Sequence, residues 1–192
     1  MPKLASLVLV ALVSSGFGDL PSPEEVAEDA VLAVDLVQQD STREHGLELL
    51  DDSMEFMAAF VGAKTGVEPE RFLEAWKAAP EANQQAIMAA LGQVGKPYRY
   101  AMANPNRGFD CSGLVLYAWE QADVELPHQS RRQIRASEDV YFPIAGDLAY
   151  YPGHIMMYLG VDNFVVHAAN RRKGVVIGHI RRNVEFGRPS GV

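Results

Sequence analysis

The residue of this sequence best suited to chemistry is its single cysteine, Cys111. Asp110, a residue type that caps helices, comes directly before it, and Leu114, Val115 and Ala118 repeat after it at helical spacing. We therefore expect a helix that begins at the cysteine, where backbone N–H groups favour a thiolate and could hold an oxyanion. The alternative is a small buried hydrophobic residue, which is the usual place of a lone cysteine in a soluble protein.

Two histidines lie on runs whose composition predicts neighbouring strands. His154 begins a run that ends at Leu159, and His167 belongs to the next run, which begins at Phe164. We take Leu159 to pair with Phe164 across a four-residue loop. In that register Met156 lies opposite His167, and the alternation of side chains puts both on the face that carries His154. Such diagonal neighbours are roughly 7–8 Å apart at the backbone, within reach of two imidazole rings.

These residues supply the parts of thiol hydrolysis. His154 would take the thiol proton and later protonate the leaving amine, and His167 would fix the tautomer of His154. A zinc site formed by the cysteine and both histidines is the rival interpretation, which the lack of CxxC or HExxH spacing disfavours. We predict neither a metal nor another cofactor. The remaining histidines are predicted to be ordinary core or rim residues: His45, His128 and His179.

The elements that position these residues divide the chain into two parts of different charge. Residues 19–92 are acidic: from residue 20 on, four Lys and Arg stand against fifteen Asp and Glu. Their apolar residues repeat at helical spacing, and the first helix is expected near 23–39. Residues 93–192 carry twelve basic against nine acidic residues. Their strands must pair antiparallel, because the connections are too short for a parallel crossover.

The predicted fold class is therefore α+β, with a helix packed on an antiparallel sheet after an all-helical acidic region. The strong negative charge of the helical region makes nucleic acid an improbable partner. The helical region could inhibit the rest of the chain, dock a partner or act as a scaffold. Its charge, opposite in sign to that of residues 93–192, also allows intramolecular docking onto them.

Residues 1–18 have the pattern of a signal peptide. Lys3 precedes the apolar run 4–13, and small residues follow it. The run is too short to span a bilayer. We expect export to the cell wall or beyond it, and the alternative is an apolar helix that packs on the body of the protein.

Taken in order, several segments resemble the NlpC/P60 family of cell-wall peptidases over about residues 86–180. The matching segments are Gly95-Lys96-Pro97-Tyr98-Arg99-Tyr100, Gly108-Phe109-Asp110-Cys111-Ser112-Gly113-Leu114-Val115, Leu126-Pro127-His128-Gln129-Ser130, Gly146-Asp147-Leu148, Gly153-His154, Tyr158-Leu159-Gly160 and Val166-His167-Ala168. The resemblance implies a papain-like core in which Cys111 and His154 are the catalytic pair and His167 the polar third member. It also implies that Tyr98, Asp110 and Ser112 lie at the site and help to bind substrate.

The resemblance also implies an activity: that of an endopeptidase that cuts the bond between D-γ-glutamyl and a diamino acid in peptidoglycan stem peptides. Two alternatives stay open: a cysteine amidase or acyltransferase with another substrate, and a non-catalytic protein that binds the cell wall. The three substrate-binding candidates also have structural interpretations: Tyr98 as a loop anchor, and Asp110 and Ser112 as caps of the helix.

The sequence departs from the family pattern at two places. Ala101-Met102 stand where Gly-Gly is usual, which predicts an altered loop beside the cleft. The connection from Gly146 to His154 is short, which predicts a low cleft wall on that side. Neither departure removes a catalytic group.

Overall fold

The computed structural model describes residues 43–180 and 183–189. The predicted signal peptide, residues 1–18, and the predicted helix near 23–39 lie outside these ranges. In the described part of the chain, no helix is both long enough and apolar enough to cross a membrane.

Three helices form the first part of the described chain. They are α1 (Arg43–Thr65), α2 (Pro69–Lys77) and α3 (Glu81–Leu91). Proline stands at the first position of α2 and directly before α3, where its missing N–H costs no helical hydrogen bond. The helical spacing read from the sequence is confirmed, because the apolar residues at those positions are buried: Leu50, Met54, Met57, Val61, Phe72, Trp76, Ile87 and Leu91.

The second part begins with a short hairpin and two helices. The hairpin strands are β1 (Ala103–Asn104) and β2 (Gly108–Phe109), and the helices are α4 (Cys111–Glu120) and α5 (Ser130–Arg135). The helix predicted to start at Cys111 is confirmed. α5 has only six residues, and no pattern in the sequence predicted it.

A six-stranded antiparallel sheet completes the fold. Its strands are β3 (Glu138–Asp139), β4 (Leu148–Tyr151), β5 (His154–Tyr158), β6 (Phe164–Asn170), β7 (Gly174–His179) and β8 (Glu185–Arg188). They lie side by side in the order β3-β8-β4-β5-β6-β7. The meander predicted for β5, β6 and β7 is confirmed, and β4 extends it on one side.

The predicted register is also confirmed. Met157 pairs with Val166 and Tyr158 with Val165, so that Met156 lies opposite His167 as expected. The stretch from Gly146 to His154, predicted as a short connection, is more than a loop. It contains β4 and a two-residue turn, Pro152-Gly153, in which proline presets φ and Gly153 has a φ of 90°.

One hydrophobic core joins the helices to the sheet. Its buried residues come mainly from α1 to α4 and from strands β4 to β7, with Phe109 of β2 and Ile134 of α5. Two buried polar side chains also connect the parts: Trp76 Nε1 donates to Leu159 O at 2.9 Å, and Asn83 Nδ2 donates to Ala145 O at 2.8 Å. Residues 50–91 therefore supply part of the support beneath the sheet. The predicted α+β class, with a helix packed on an antiparallel sheet, is confirmed.

A buried ion pair fixes β8 to β4. Asp147 is completely buried, and both of its oxygens accept hydrogen bonds of 2.8 Å from the guanidinium of Arg188. The Asp147 carboxylate raises the pKa of Arg188 above its ordinary value, chiefly through these hydrogen bonds. The pair thus fastens β8 to the sheet on the side of β4 that is away from β5, β6 and β7.

Candidate active site

The N-terminus of α4 is held by a group of hydrogen bonds that we call the Asp110 network. Asp110 is 7% exposed and caps the helix, with Oδ1 accepting from the N–H of Gly113 at 2.7 Å. The same oxygen accepts from Ser112 Oγ at 3.0 Å, and Oδ2 accepts from the N–H of Ala101 at 2.7 Å. Asp110 and Ser112 are therefore brought together, as predicted, beside the first turn of the helix.

The altered loop at Ala101-Met102 keeps a backbone conformation that suits glycine. Ala101 has a φ of 52°, in the left-handed region that costs a side-chain-bearing residue free energy. The loop then passes close to α4, because a Cβ at Gly113 would overlap the carbonyl oxygen of Met102. That carbonyl also accepts from the N–H of Asp110 at 2.9 Å. The loop thus sets the position of the start of α4.

Cys111 is half-buried at the first position of α4. Burial raises the pKa of its thiol above the ordinary value, and the nearby Asp110 carboxylate adds to the rise. Hydrogen bonds from backbone N–H groups, that of Ile155 foremost, act in the opposite direction but do not outweigh burial. The expectation that the helix start favours a thiolate is therefore wrong for the free protein, because desolvation disfavours the charged form.

The hydrogen bond from the N–H of Ile155 also locates the sulfur. Ile155 is the second residue of β5 and follows His154, so that the start of α4 meets the start of this strand. The helix and the strand pack against each other along the core.

The two histidines predicted to be diagonal neighbours are in direct contact. His154 Nε2 and His167 Nδ1 are 2.7 Å apart, and the two rings are nearly perpendicular, with an interplanar angle of 75°. A contact of this length needs one proton between the two nitrogens. Burial and, to a smaller extent, the neighbouring His154 and Lys173 together lower the pKa of His167 to about 4. His167 is therefore neutral at pH 7.

Two neighbours hold the histidine pair in place. Tyr151 pairs with His154 across β4 and β5, with the ring centroids 5.3 Å apart. On the other side, Gly178 leaves room for the His167 ring, since a Cβ at residue 178 would lie 2.7 Å from Nε2. A larger residue at 178 would displace the ring of His167.

Tyr98 approaches the same region from the loop before the hairpin. It forms a bridge with Phe109, next to Asp110. Partial burial raises the pKa of its hydroxyl, and the nearby Cys111 and Asp110 raise it further, whereas Arg171 lowers it. All six residues singled out from the sequence therefore lie around the start of α4 and the adjoining ends of β5 and β6.

Sequence reasoning missed two contributors to this region. His128, treated as an ordinary residue, has Nε2 at 3.1 Å from Asp110 Oδ1, and its side chain is 31% exposed. Gln133 is fully buried and donates from Nε2 to the carbonyl oxygen of Ser112 at 2.8 Å. The segment that contains His128 carried a signal, since it follows a Leu-Pro pair among the matching motifs, but its contact partner is eighteen residues away in sequence.

The other two histidines that were predicted to be ordinary residues are His179 and His45. His179 is exposed at the end of β7, where its ring lies against Phe164 with the centroids 4.2 Å apart. The side chain of His45 lies outside the described residues. Within residues 43–180 and 183–189, no group of three His, Cys, Asp or Glu side chains is arranged to hold a metal ion.

Comparison with protein families and curated proteins gives one consistent result. The family model described as "NlpC/P60 family" matches residues 95–185. A probable endopeptidase of Mycobacterium tuberculosis is 41% identical over 88 residues, which cover 43% of this chain and 22% of the relative. The bifunctional muramidase/DL-endopeptidase CwlT of Bacillus subtilis is 32% identical over 87 residues, covering 40% and 26% respectively. The chain thus spans about a quarter or less of these two relatives.

Solved structures agree on the fold. The P60 domain of an antigen from M. avium subspecies paratuberculosis has a TM-score of 0.51 and 26% identity, covering 56% of this chain and 94% of that domain. NlpC2 from Trichomonas vaginalis has a TM-score of 0.52 and 21% identity, covering 59% and 50% respectively, and shows likeness of fold alone. Residues 95–185, which contain the cysteine-bearing helix and the histidine-bearing strands, belong to the NlpC/P60 family.

Proposed function

We propose that this chain is a peptidoglycan endopeptidase that uses Cys111 as nucleophile and His154 as general base and acid. The observation that carries the proposal is the 2.7 Å contact between His154 and a neutral His167. His154 lies beside the thiol, because the N–H of the next residue, Ile155, donates a hydrogen bond to the sulfur of Cys111. A thiol, a histidine and a group that orients that histidine are the parts that thiol hydrolysis requires.

The tautomers follow from the role of each ring. A neutral His167 that accepts at Nδ1 leaves the proton on His154 Nε2, which then donates across the 2.7 Å contact. His154 Nδ1 is in that case unprotonated and can act as a base. His167 serves as a positioning residue, since it fixes which nitrogen of His154 carries the proton.

The raised pKa of Cys111 determines when the proton moves. Because burial keeps the resting sulfur as a thiol, His154 takes the proton as the sulfur attacks the carbonyl carbon of the scissile amide. The carbonyl oxygen becomes an oxyanion that backbone N–H groups at the start of α4 can stabilise. The C–N bond then breaks as His154 gives the proton to the leaving amine, and water hydrolyses the remaining thioester and restores the thiol.

The substrate class rests on the family and on the relatives named as endopeptidases. We assign substrate binding to Tyr98, Asp110 and Ser112, which lie beside Cys111, and the bond between D-γ-glutamyl and a diamino acid as the one cleaved. Such a substrate lies outside the cytoplasmic membrane, so we also propose that the protein acts in the cell wall after export.

Digestion of purified peptidoglycan tests this function. The full chain and its Cys111→Ala variant are incubated with the polymer, and released muropeptides are identified by mass spectrometry. We expect new fragments that end in D-glutamate from the wild type only. Cys111→Ser is the matched control for shape. Its rate of muropeptide release should be at least about a hundredfold below that of the wild type, since a hydroxyl is a far weaker nucleophile at neutral pH.

Other outcomes would identify the alternatives. Sedimentation of both forms with insoluble peptidoglycan, without turnover by the wild type, would contradict the proposal and favour a wall-binding protein. Cleavage of simple amides or acyl esters in the absence of muropeptide release would instead favour an amidase or acyltransferase.

A further inference from the structure

The chain between α4 and α5 forms a support for the first turn of α4, and we call residues 126–133 the α4 brace. At its start, Leu126 is buried in the core. Gln129 caps α5, with its side-chain oxygen accepting from a backbone N–H of the first turn at 2.9 Å. Gln133, in α5, is fully buried. The brace is thus anchored at both ends, and His128 lies between the two anchors.

The α4 brace contacts α4 on both sides of the cysteine. His128 Nε2 lies 3.1 Å from Asp110 Oδ1, and Gln133 Nε2 donates to the carbonyl oxygen of Ser112 at 2.8 Å. Asp110 and Ser112 directly precede and follow Cys111. Two side chains of one segment therefore hold the backbone that carries the sulfur.

The contact between His128 and Asp110 has a defined direction. An ionised carboxylate only accepts hydrogen bonds, so the proton lies on Nε2 of His128, which donates. The same carboxylate oxygen also accepts from Ser112 Oγ and from the N–H of Gly113. Of these three donors, only the imidazole can carry a positive charge. His128 is therefore the donor best able to offset the negative charge of Asp110.

The ring of His128 also packs closely against the helix. A Cβ at Gly113 would lie 3.0 Å from His128 Nε2 and would overlap the carbonyl oxygen of Met102. Residue 113 therefore leaves room for the ring on one side and for the loop on the other. The position of His128 relative to the start of α4 is fixed by packing as well as by its hydrogen bond.

The charge of Asp110 acts on the neighbouring thiol. The carboxylate raises the pKa of Cys111 beyond the rise that burial causes. A thiol with a raised pKa gives up its proton to His154 less readily. A donor that offsets the charge of Asp110 opposes this effect, because the carboxylate then disfavours the thiolate less. Loss of the donor would leave the charge of Asp110 less compensated beside the sulfur.

We propose that His128 is a positioning residue for Cys111, which acts through Asp110 by holding the start of α4 and by reducing the effect of the carboxylate on the thiol. Its consequence for turnover rests on the proposed endopeptidase function. Its consequence for the reactivity of the thiol does not, so the two can be measured separately.

Alkylation of the thiol tests this inference directly, because Cys111 is the single cysteine of the chain. The full chain is treated with iodoacetamide at several pH values, and the rate is followed by mass spectrometry. His128→Leu removes the donor. Its alkylation rate at pH 7 should be about threefold to fivefold below that of the wild type, and the pH profile should shift upwards, because less of the thiol is ionised.

His128→Gln is the matched variant. The glutamine amide nitrogen lies about as far along the side chain as the Nε2 of histidine and can donate to Asp110, so the rate should stay within about twofold of the wild type. His179→Leu is the control for loss of a histidine. His179 pairs with Phe164 at the end of the sheet opposite to His154, and its replacement should not change the rate.

Unfolding cannot imitate the expected result. It would expose the sulfur of Cys111 and raise the alkylation rate, whereas the inference predicts a decrease. If His128→Leu does not fold, His128→Phe takes its place, since it keeps a ring but has no donor.

The cleavage of a synthetic stem peptide gives the second readout. In His128→Leu we expect kcat to fall by about the same factor as the alkylation rate, with KM within about twofold of the wild type. An unchanged alkylation rate in this variant, or an equal decrease in His128→Gln, would overturn the inference and leave the endopeptidase function standing. The expected alkylation rates without cleavage of the peptide by any form would support the role of His128 and contradict the proposed function.

Discussion

The two sides of the cleft are built in different ways. On the helix side, Asp110 accepts from donors within ten residues of it: Ala101, Ser112 and Gly113. His128, eighteen residues later, also contacts it. On the sheet side, the partners come from separate strands: His154 meets His167 thirteen residues later, and Asp147 meets Arg188 forty-one residues later.

The difference has a consequence for what each side does. Local hydrogen bonds cost little chain entropy to form, so the helix side can be shaped for chemistry without holding the fold together. Contacts between distant strands close long loops, and a buried charge among them has no partner if its strand departs. We therefore expect changes on the sheet side to reduce stability more, and changes on the helix side to act mainly on the site.

The largest effect is expected for Arg188→Ala. The substitution leaves the carboxylate of Asp147, which is completely buried, without its cation. The free energy of unfolding should fall by about 3 kcal/mol or more. The matched control is Arg71→Ala, which breaks an exposed pair with Asp162 and should cost less than about 1 kcal/mol. Chemical denaturation of both variants measures this, and equal losses would contradict a structural role for the buried pair.

The second effect depends on pH through His167. Its pKa is about 4 when folded and 6.5 ordinarily, so the unfolded chain takes up a proton between these values and the folded chain does not. The free energy of unfolding should therefore decrease as pH falls from 6.5 to 4, by about 2–3 kcal/mol at most. Urea denaturation at several pH values measures the slope, and His167→Asn should flatten it. An unchanged slope in this variant would mean that His167 is not the group responsible.

A third, smaller effect on stability is expected on the helix side. Asp110→Asn keeps the shape but removes one acceptor oxygen and the charge, so part of the Asp110 network loses its partner. We expect a loss of about 1–2 kcal/mol in the free energy of unfolding. We also expect kcat/KM to fall, by a larger factor than the loss of folded protein accounts for, because the substitution displaces Cys111.

Asp139→Asn, at an exposed aspartate of β3, is the control and should leave both quantities unchanged. If Asp110→Asn lowers stability but leaves kcat/KM intact, the Asp110 network is only a helix cap.

The smallest effect concerns the loop that carries Ala101. Its φ of 52° is strained for alanine and free of strain for glycine. Ala101→Gly should therefore raise the free energy of unfolding by about 0.5 kcal/mol, after the greater entropy of unfolded glycine is subtracted. Ala82→Gly, within α3, should lower it by about 0.5–1 kcal/mol. Thermal unfolding of the two variants measures whether each substitution stabilises or destabilises the protein. Destabilisation by both would show that Ala101 is not strained.

The same difference between local and distant contacts explains what the sequence could predict. The cap at Asp110, the start of α4 at Cys111 and the helical spacing before residue 92 are local patterns, and each is confirmed. The pairing of β5 with β6 was predictable because a four-residue loop leaves few registers. The alternation of side chains then brought His154 and His167 to one face.

What could not be predicted depends on contacts without a local signal. β8 is short and lies far along the chain from its partner β4. Nothing in the sequence near Arg188 therefore indicates that Arg188 contacts Asp147. The contact of His128 with Asp110 likewise joins separate segments. The thiolate prediction failed for a related reason, because the burial that raises the pKa of Cys111 comes from the surrounding fold and not from the first turn of the helix.

Trapping of the acyl-enzyme tests the central claim most directly. The full chain is mixed with a synthetic stem peptide that contains the bond between D-γ-glutamyl and a diamino acid, quenched in acid within the first turnover and digested for mass spectrometry. We expect the mass of the acyl half on the peptide that contains Cys111, in the wild type and, more slowly formed, in His154→Ala. Turnover of the substrate with no adduct on Cys111, or an undiminished rate in Cys111→Ala, would contradict the account.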